Sequence, residues 1–280
     1  MEKETIAVWF SCGAASAVAA KLIVDKYRDT HNIFIVNTEI KEEDKDNQRF
    51  LKDVEKWIAH PIIHAGNKLF PNNSIIEVFD KRQYMSGIHG APCTGVLKKE
   101  ARYQFELEHD IDWHVLGFTL EEKKRQEKFN KFERGNTINI LIDERVTKND
   151  CFEIIKLAGI ELPYIYSLGF PNANCIGCVK SQSPTYWNLV RRWFLDTFNQ
   201  RAEQSRRIGC RLVKCHAKYL PFAELIDGMY RNKETLKMLS YVNKKGKIVH
   251  TVRIFLDELP IDAKGGKIKS YECGIFCDTK

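Results

Sequence analysis

The chain has 280 residues, 44% hydrophobic and 29% charged, with 44 basic and 37 acidic side chains and a net charge of +7. That length can bury a substantial core, the composition is that of a folded globular chain, and no apolar run approaches the ~18 residues a membrane span needs. A charge this mild is weaker than the usual footprint of a nucleic-acid-binding protein.

The start, MEKETIAVWF, passes from charges straight into a strand without the zones of a signal peptide, so a cytoplasmic protein is expected. The strand TIAVWFS then runs into SCGAAS and the helical pattern AVAAKLIVDKY. Small residues at such a turn leave backbone N–H groups around Cys12 to Ala15 uncovered at a helix N-terminus. That suits a phosphate or sulfate, with Ser11 and Ser16 adding hydroxyl donors. The turn lacks the Gly-Lys-Ser/Thr ending of a P-loop and does not fit the Gly-x-Gly-x-x-Gly fingerprint.

IFIVNT, PIIHAG and WHVLGF read as further short, buried strands. Between them DNQRFLKDVEKWI puts Phe50, Leu51, Val54, Trp57 and Ile58 on one helical face, and CTGVLKKEARYQFEL carries a similar stripe. The alternation predicts an α/β fold, a parallel sheet flanked by helices, with ligands at the carboxyl ends of the strands.

Farther on, TKNDCFEIIKLAG predicts a helix with Thr147 and Asp150 as a capping pair and Gly159 as its stop. PNANCIGCVK reads as a loop, and TYWNLVRRWFLDTFNQRAEQSRR as one long helix with Trp187 and Trp193 in the core. GKIVHTVRIFLDEL alternates like a strand, and the tail YECGIFCDTK holds two more cysteines. A main domain over residues 1–150 is therefore expected, with a helical, cysteine-bearing α+β extension over 151–280 packed on it. Arg191, Arg192, Arg201, Arg206, Arg207, Arg211, Lys214 and Lys218 crowd into one stretch, either a solvated helix face or a surface for polyanions such as nucleic acid.

Nine cysteines in a cytosolic chain point to metal or redox chemistry rather than structural disulfides. Cys175 and Cys178 in CIGC have the spacing that lets two thiolates reach one tetrahedral metal or cluster corner, and Cys273 with Cys277 supplies a second pair. One closed site of these four thiolates would hold zinc or an iron–sulfur cluster. Cys12, Cys151 and Cys210 are expected as packing thiols, with Cys12 reactive if the local field lowers its pKa. His114 is expected to be structural, and His89 in GIHGAPC is a candidate to reach the site.

With these pieces in order, the chain resembles a known family. Ser11, Gly13 and Ser16 at the end of the first strand look like the PP-loop of the adenine nucleotide α-hydrolase superfamily. The form SCGAASAV is most similar to the sulfonucleotide reductases, which act on phosphoadenosine phosphosulfate (PAPS) or adenosine phosphosulfate (APS). The resemblance implies a Rossmann-like nucleotide-binding domain with Ser11, Cys12, Gly13, Ala14 and Ser16 at the phosphates or sulfate. It places Asn37, Thr38 and Glu39 of IVNTEI near the adenosine, and Lys98 of PCTGVLKK, with Lys99, as charge-neutralising residues. Gly117, Phe118, Thr119 and Arg125 of LGFTLEEKKR match the loop that closes over the base, and Cys273 of ECGIF matches the nucleophile.

The implied activity is thiol-dependent reduction of an adenylated sulfate to sulfite, with thioredoxin or glutathione as electron donor. On the family's pattern, Cys93, Cys175 and Cys178 would bind a 4Fe-4S cluster while Cys273 stays free, although Pro92 stands where the family has a second adjacent cysteine. This pattern and the four-thiolate site cannot share Cys273. Ala15 stands where ATP-splitting relatives carry an acid, which favours the reductases over an ATP pyrophosphatase. The alternatives are an ATP-dependent enzyme of nucleic-acid thiolation or base modification, contacting nucleic acid through residues 191–218, and a non-catalytic nucleotide-binding module.

Overall fold

A computed structural model describes residues 3–265, so Cys273 and Cys277 lie outside the described residues. The described chain divides into two compact units, one of residues 3–81 and 92–175, the other of residues 82–91 and 176–265.

The first unit is built on four parallel strands, β1 (Thr5–Phe10), β2 (Asn32–Asn37), β3 (Ile62–His64) and β4 (Trp113–Val115), in the order β3-β2-β1-β4. β1 lies inside the sheet, with Ile6 opposite Ile33 of β2 and Trp113 of β4, and so has a neighbour on both edges. Its sequence explains that place, because TIAVWF is apolar at successive positions and has both faces to cover. On one face Ile6, Val8 and Phe10 join a core with α1 (Ala14–Tyr27), α2 (Asn47–Ile58) and the later helix Lys148–Leu157. On the other face Trp9 and Phe34 meet Phe105 edge to face. This is an α/β sheet flanked by helices, as the alternation of elements predicts.

α1 is buried almost all round in its first half, where Ala14, Ala15, Ala17, Ala19 and Ala20 let it lie close to its neighbours. The remaining helices of this unit are α3 (Ile75–Arg82, its last residue in the second unit), α4 (Glu100–Glu108), α5 (Lys123–Phe132), α6 (Ile140–Asp143), α7 (Lys148–Leu157) and α8 (Tyr164–Ser167). A π-helical turn, Thr94–Lys99, leads into α4, where sequence periodicity predicts one regular helix. At α7 the expected cap is present, with Thr147 accepting from the Asp150 backbone and the Asp150 carboxylate from the Thr147 backbone.

The second unit contains α9 (Pro184–Trp193) and α10 (Leu195–Ile208), followed by β5 (Val213–His216). Two antiparallel pairs come next, β6 (Ala223–Ile226) with β7 (Met229–Asn232) and β8 (Tyr241–Val242) with β9 (Ile248–Val249), before β10 (Thr251–Ile254) returns to pair with β5. The single helix predicted over this arginine-rich stretch is broken at Phe194, whose φ of −139° and ψ of 61° leave the helical region. Trp187 is fully buried, as expected, but Trp193 is 45% exposed, because the chain departs from the helix just after it and carries it out of the buried stripe. The β6–β7 turn is Asp227-Gly228, both with positive φ, the backbone that a two-residue hairpin requires. Among the described residues no helix is long and apolar enough to cross a membrane.

Candidate functional site

Where β1 ends, the chain turns at Ser11, Cys12 and Gly13 before α1 begins. Cys12 has φ +54°, a left-handed backbone, and Asn37 at the end of β2 braces the bend by donating from Nδ2 to the Phe10 carbonyl at 2.9 Å and to Cys12 Sγ at 3.5 Å. Ser16 Oγ accepts from the Ser11 backbone N–H at 3.2 Å and donates to the Gly13 carbonyl at 2.9 Å. Asn37 and Ser16 therefore hold the turn's shape from beneath. The exit of β4 presses on the same place: a Cβ at Gly117 would stand 2.7 Å from the Ser16 backbone nitrogen and 3.0 Å from the Ala15 carbonyl carbon. Only glycine fits there.

Above this turn opens a solvent-connected cleft. Its walls come from the ends of β1 (Ser11, Gly13), β2 (Thr38) and β4 (Gly117, Phe118), from Lys98 and Arg102, and from the segment holding Tyr166 and Asn172. Because β1 to β3 run to one side and β4 lies on the other, the reversal of strand order falls between β1 and β4. That is the crevice in which open α/β sheets receive ligands.

Of the residues expected from sequence, Ser11, Gly13, Thr38, Lys98, Gly117 and Phe118 line the cleft. Cys12, Ala14, Ser16, Asn37 and Thr119 are buried and do not line it. Glu39 is exposed and accepts from Gln48 at 2.8 Å. Arg125 does not line the cleft; it pairs with Glu122 at 2.6 Å, its guanidinium 5.0 Å from the centre of the Phe118 ring, which does. Lys99 is paired with Glu133. His89 belongs to the second unit and is exposed.

Lys98 is largely buried beside Glu43, with Nζ 3.4 Å from Oε1. Burial holds the Glu43 carboxyl above its ordinary pKa against the opposing pull of Lys98. The Cys12 thiol is likewise pushed well up, first by burial and then by the Glu43 charge, so it stays protonated and is not the activated thiol its position suggested.

Sequence reading missed Trp9, Arg102, Tyr166 and Asn172. Arg102 had a signal, since it follows Lys98 by four residues and so shares its helical face. It is 5% exposed, and neither Nε nor Nη1 has a hydrogen-bond partner. Its ion pair with Glu106, 3.5 Å from Nε to Oε1, lies outside hydrogen-bond geometry. Burial, then the nearby Arg134, pulls its pKa down to about 10. Asn172 is 6% exposed; its Oδ1 accepts from Lys148 at 2.5 Å while its Nδ2 has no partner. No lining residue of the cleft is a carboxylate.

Cys93 and Cys175 are buried in the first unit, and Cys178 is buried in the second, its backbone N–H donating to Tyr186 Oη at 2.7 Å. Among the described residues, no three His, Cys, Asp or Glu side chains are gathered as a metal would require. The other two expected ligands, Cys273 and Cys277, lie outside the described residues. Cys151 and Cys215 are buried, and burial pushes the Cys215 thiol up to about 11.

The basic stretch of the second unit spends several of its cations internally. Arg191 donates to the Leu259 carbonyl at 2.8 Å and to Asn188 at 3.0 Å, Arg201 is fully buried and donates to Gln204, and Arg206 pairs with Asp257 at 2.7 Å. Arg211 stacks on Phe255, 4.9 Å from the ring centre.

No protein-family model matches the chain, and a search of curated proteins finds no match.

Proposed function

We propose that the cleft of the first unit seats an adenine nucleotide and that the protein is an enzyme of the sulfonucleotide-reductase type, converting an adenylated sulfate to sulfite at the expense of thiols. The observation that carries this reading is the convergence of Ser11, Gly13, Thr38, Lys98 and Gly117 on one cleft at the carboxyl ends of β1, β2 and β4. The wall supplies cations and neutral donors without a carboxylate, which suits an anionic ligand bound directly by side chains and backbone. ATP-cleaving chemistry depends on magnesium, whose preferred ligands are carboxylates, so the same wall favours sulfate transfer over adenylation.

In this reading Lys98 and Arg102 offset the charge of the nucleotide, and Phe118 offers its ring to the base. The nucleophile is Cys273. Its thiolate attacks the ligand's sulfur, an S–S bond forms, and the S–O bond to the nucleotide breaks with its electron pair leaving on the phosphate. A thiol of the thioredoxin or glutathione class then attacks the cysteine sulfur and releases sulfite, the donor thiols supplying two electrons and ending as a disulfide. A 4Fe-4S cluster, if bound, would be held by Cys93, Cys175 and Cys178 with Cys277 as fourth ligand, which leaves Cys273 free, and no step here runs through it.

The test uses full-length protein purified without oxygen, with iron, sulfide and zinc quantified, followed by titration of AMP, APS and PAPS and assay of sulfite release. Binding in the micromolar range with sulfite release that Cys273→Ser abolishes, while nucleotide affinity is kept, supports the proposal. Failure to bind any adenine nucleotide, or sulfite release by Cys273→Ser at the unsubstituted rate, overturns it. Pyrophosphate release from ATP with added nucleic acid is the control for the adenylating alternative, and nucleotide binding without turnover of any of these marks a non-catalytic module.

A further inference from the structure

We propose that Arg102 and Asn172 form an oxyanion subsite of the cleft, taking a tetrahedral phosphoryl or sulfuryl group through side-chain donors in addition to any group held at the β1–α1 turn. The inference concerns the same cleft as the nucleotide reading and deepens it, but its probes contain no nucleoside.

Arg102 is buried in the first unit. A guanidinium carries five N–H donors, and burying it without acceptors is costly. Here Nε and Nη1 are both buried and without a hydrogen-bond partner. The nearest carboxylate does not cure this, because Glu106 Oε2 is taken by Arg134 and Oε1 misses hydrogen-bond geometry. Glu133, the other acid felt by Arg102, is paired with Lys99. His114 beside them adds no charge, since burial and then Arg134 and Arg102 push its pKa down to about 3. Three cations, Arg102, Arg134 and Lys99, therefore face two carboxylates, while Lys98 is balanced by Glu43. One positive charge is left over, on the arginine that lines the cleft.

The second observation is independent. Lys148 donates to Asn172 Oδ1, which fixes the amide's orientation and leaves Nδ2 as a buried donor without an acceptor, on a residue that lines the same cleft. Unsatisfied buried donors are rare in folded proteins, and three of them on two residues that line one cleft point to an acceptor that arrives with the ligand. The donors come from separate segments, α4 and the loop at residue 172. A tetrahedral oxyanion, with acceptors on several sides, meets such a set better than a planar carboxylate does.

The experiment titrates inorganic phosphate and inorganic sulfate into the full-length protein at low ionic strength, by calorimetry and by thermal shift, with sodium chloride at matched ionic strength as control. Saturable binding of at least one anion is expected, and whichever binds more tightly identifies the phosphoryl or the sulfuryl group as the occupant. Arg102→Met should weaken that binding at least tenfold and Asn172→Asp several-fold, with Arg102→Lys between Arg102→Met and the unsubstituted protein. Without anion, Arg102→Met should melt at or above the unsubstituted protein, since it removes the surplus charge; a purely structural arginine would lower the melting temperature. Affinities of Arg102→Met and Asn172→Asp within twofold of the unsubstituted protein, or no saturable binding of either anion to it, overturn the proposal. Should Arg102→Met fail to fold, Asn172→Asp decides, because it keeps an oxygen for Lys148 and replaces the donor with an anionic acceptor. Adenosine is titrated in parallel: its failure to bind beside intact anion binding counts against the nucleotide reading and leaves this subsite standing.

Discussion

Two arginines taken out of water, Arg191 in the second unit and Arg102 in the first, are treated in opposite ways. In the second unit Arg191 is drawn below its ordinary pKa by burial, yet it reaches the carbonyls of Leu256 and Leu259 and the side chain of Asn188. In the first unit Arg102 is more deeply buried and lacks an acceptor for Nε and Nη1. The first arrangement is what a cation looks like when it fastens a helix to a loop. The second costs stability, a cost that an anion bound at Arg102 would remove. An arginine-rich stretch is thus a poor guide to a binding surface until the acceptors of each guanidinium have been traced.

The largest expected effect that sharpens this contrast is on acid stability. The imidazole of His114 takes up a proton near pH 6.5 in the unfolded chain but only near 3 in the fold, where burial and then Arg134 and Arg102 oppose it. Acid therefore favours the unfolded chain, and stability falls from pH 6.5 downward at roughly 1.4 kcal/mol per pH unit from this group. His114→Asn should flatten that slope in denaturant melts between pH 6.5 and 4; an unchanged slope would show that the charge excess around Arg102 is not felt there. Next comes Gly117→Ala, whose methyl group must displace the backbone of Ser16 and Ala15 at a cost of about 1–3 kcal/mol. Nucleotide or anion affinity should fall with it, and unaltered affinity would separate the cleft from the turn.

Arg191→Met tests the contrast from the other side. It strips two carbonyls and Asn188 of a donor and should cost about 1–2 kcal/mol in urea melts, opposite in sign to Arg102→Met. Equal signs for the two variants would end the comparison. The smallest effect is Thr147→Ala, which removes half of a capping box from α7 and should cost about 1 kcal/mol without changing cleft affinity. A change in anion affinity would mean that α7 transmits to the site through Lys148, the partner of Asn172.

Much of the sheet was legible in advance. TIAVWF, IFIVN, II and WHV are dense in β-branched and aromatic residues, and the strands fall where those runs lie. The bend at Ser11 to Ser16 was legible from its run of small residues after a strand, and Thr38 and Gly117 line the cleft because they lie just beyond strand ends. Asn37, Ser16 and Cys12 lie buried beneath the turn, a depth that strand position does not reveal, since it does not tell whether a side chain braces a turn or faces a cleft. The break at Phe194 and the π-helical turn at Thr94–Lys99 were not legible: both interrupt sequences whose periodicity reads as continuous helix.

The sequence by itself determined the elements and their order, because strand and helix follow from local patterns of apolar side chains and from caps such as Thr147 with Asp150. Which charges are compensated was decided only by tertiary structure. Lys98 and Glu43 are separated by 55 residues along the chain, and Arg134 lies 28 residues from Glu106, so nothing in a local window assigns these partners. Once they are assigned, Arg102 is the cation left over, and that remainder depends on a sum of distances in space that no spacing along the chain encodes.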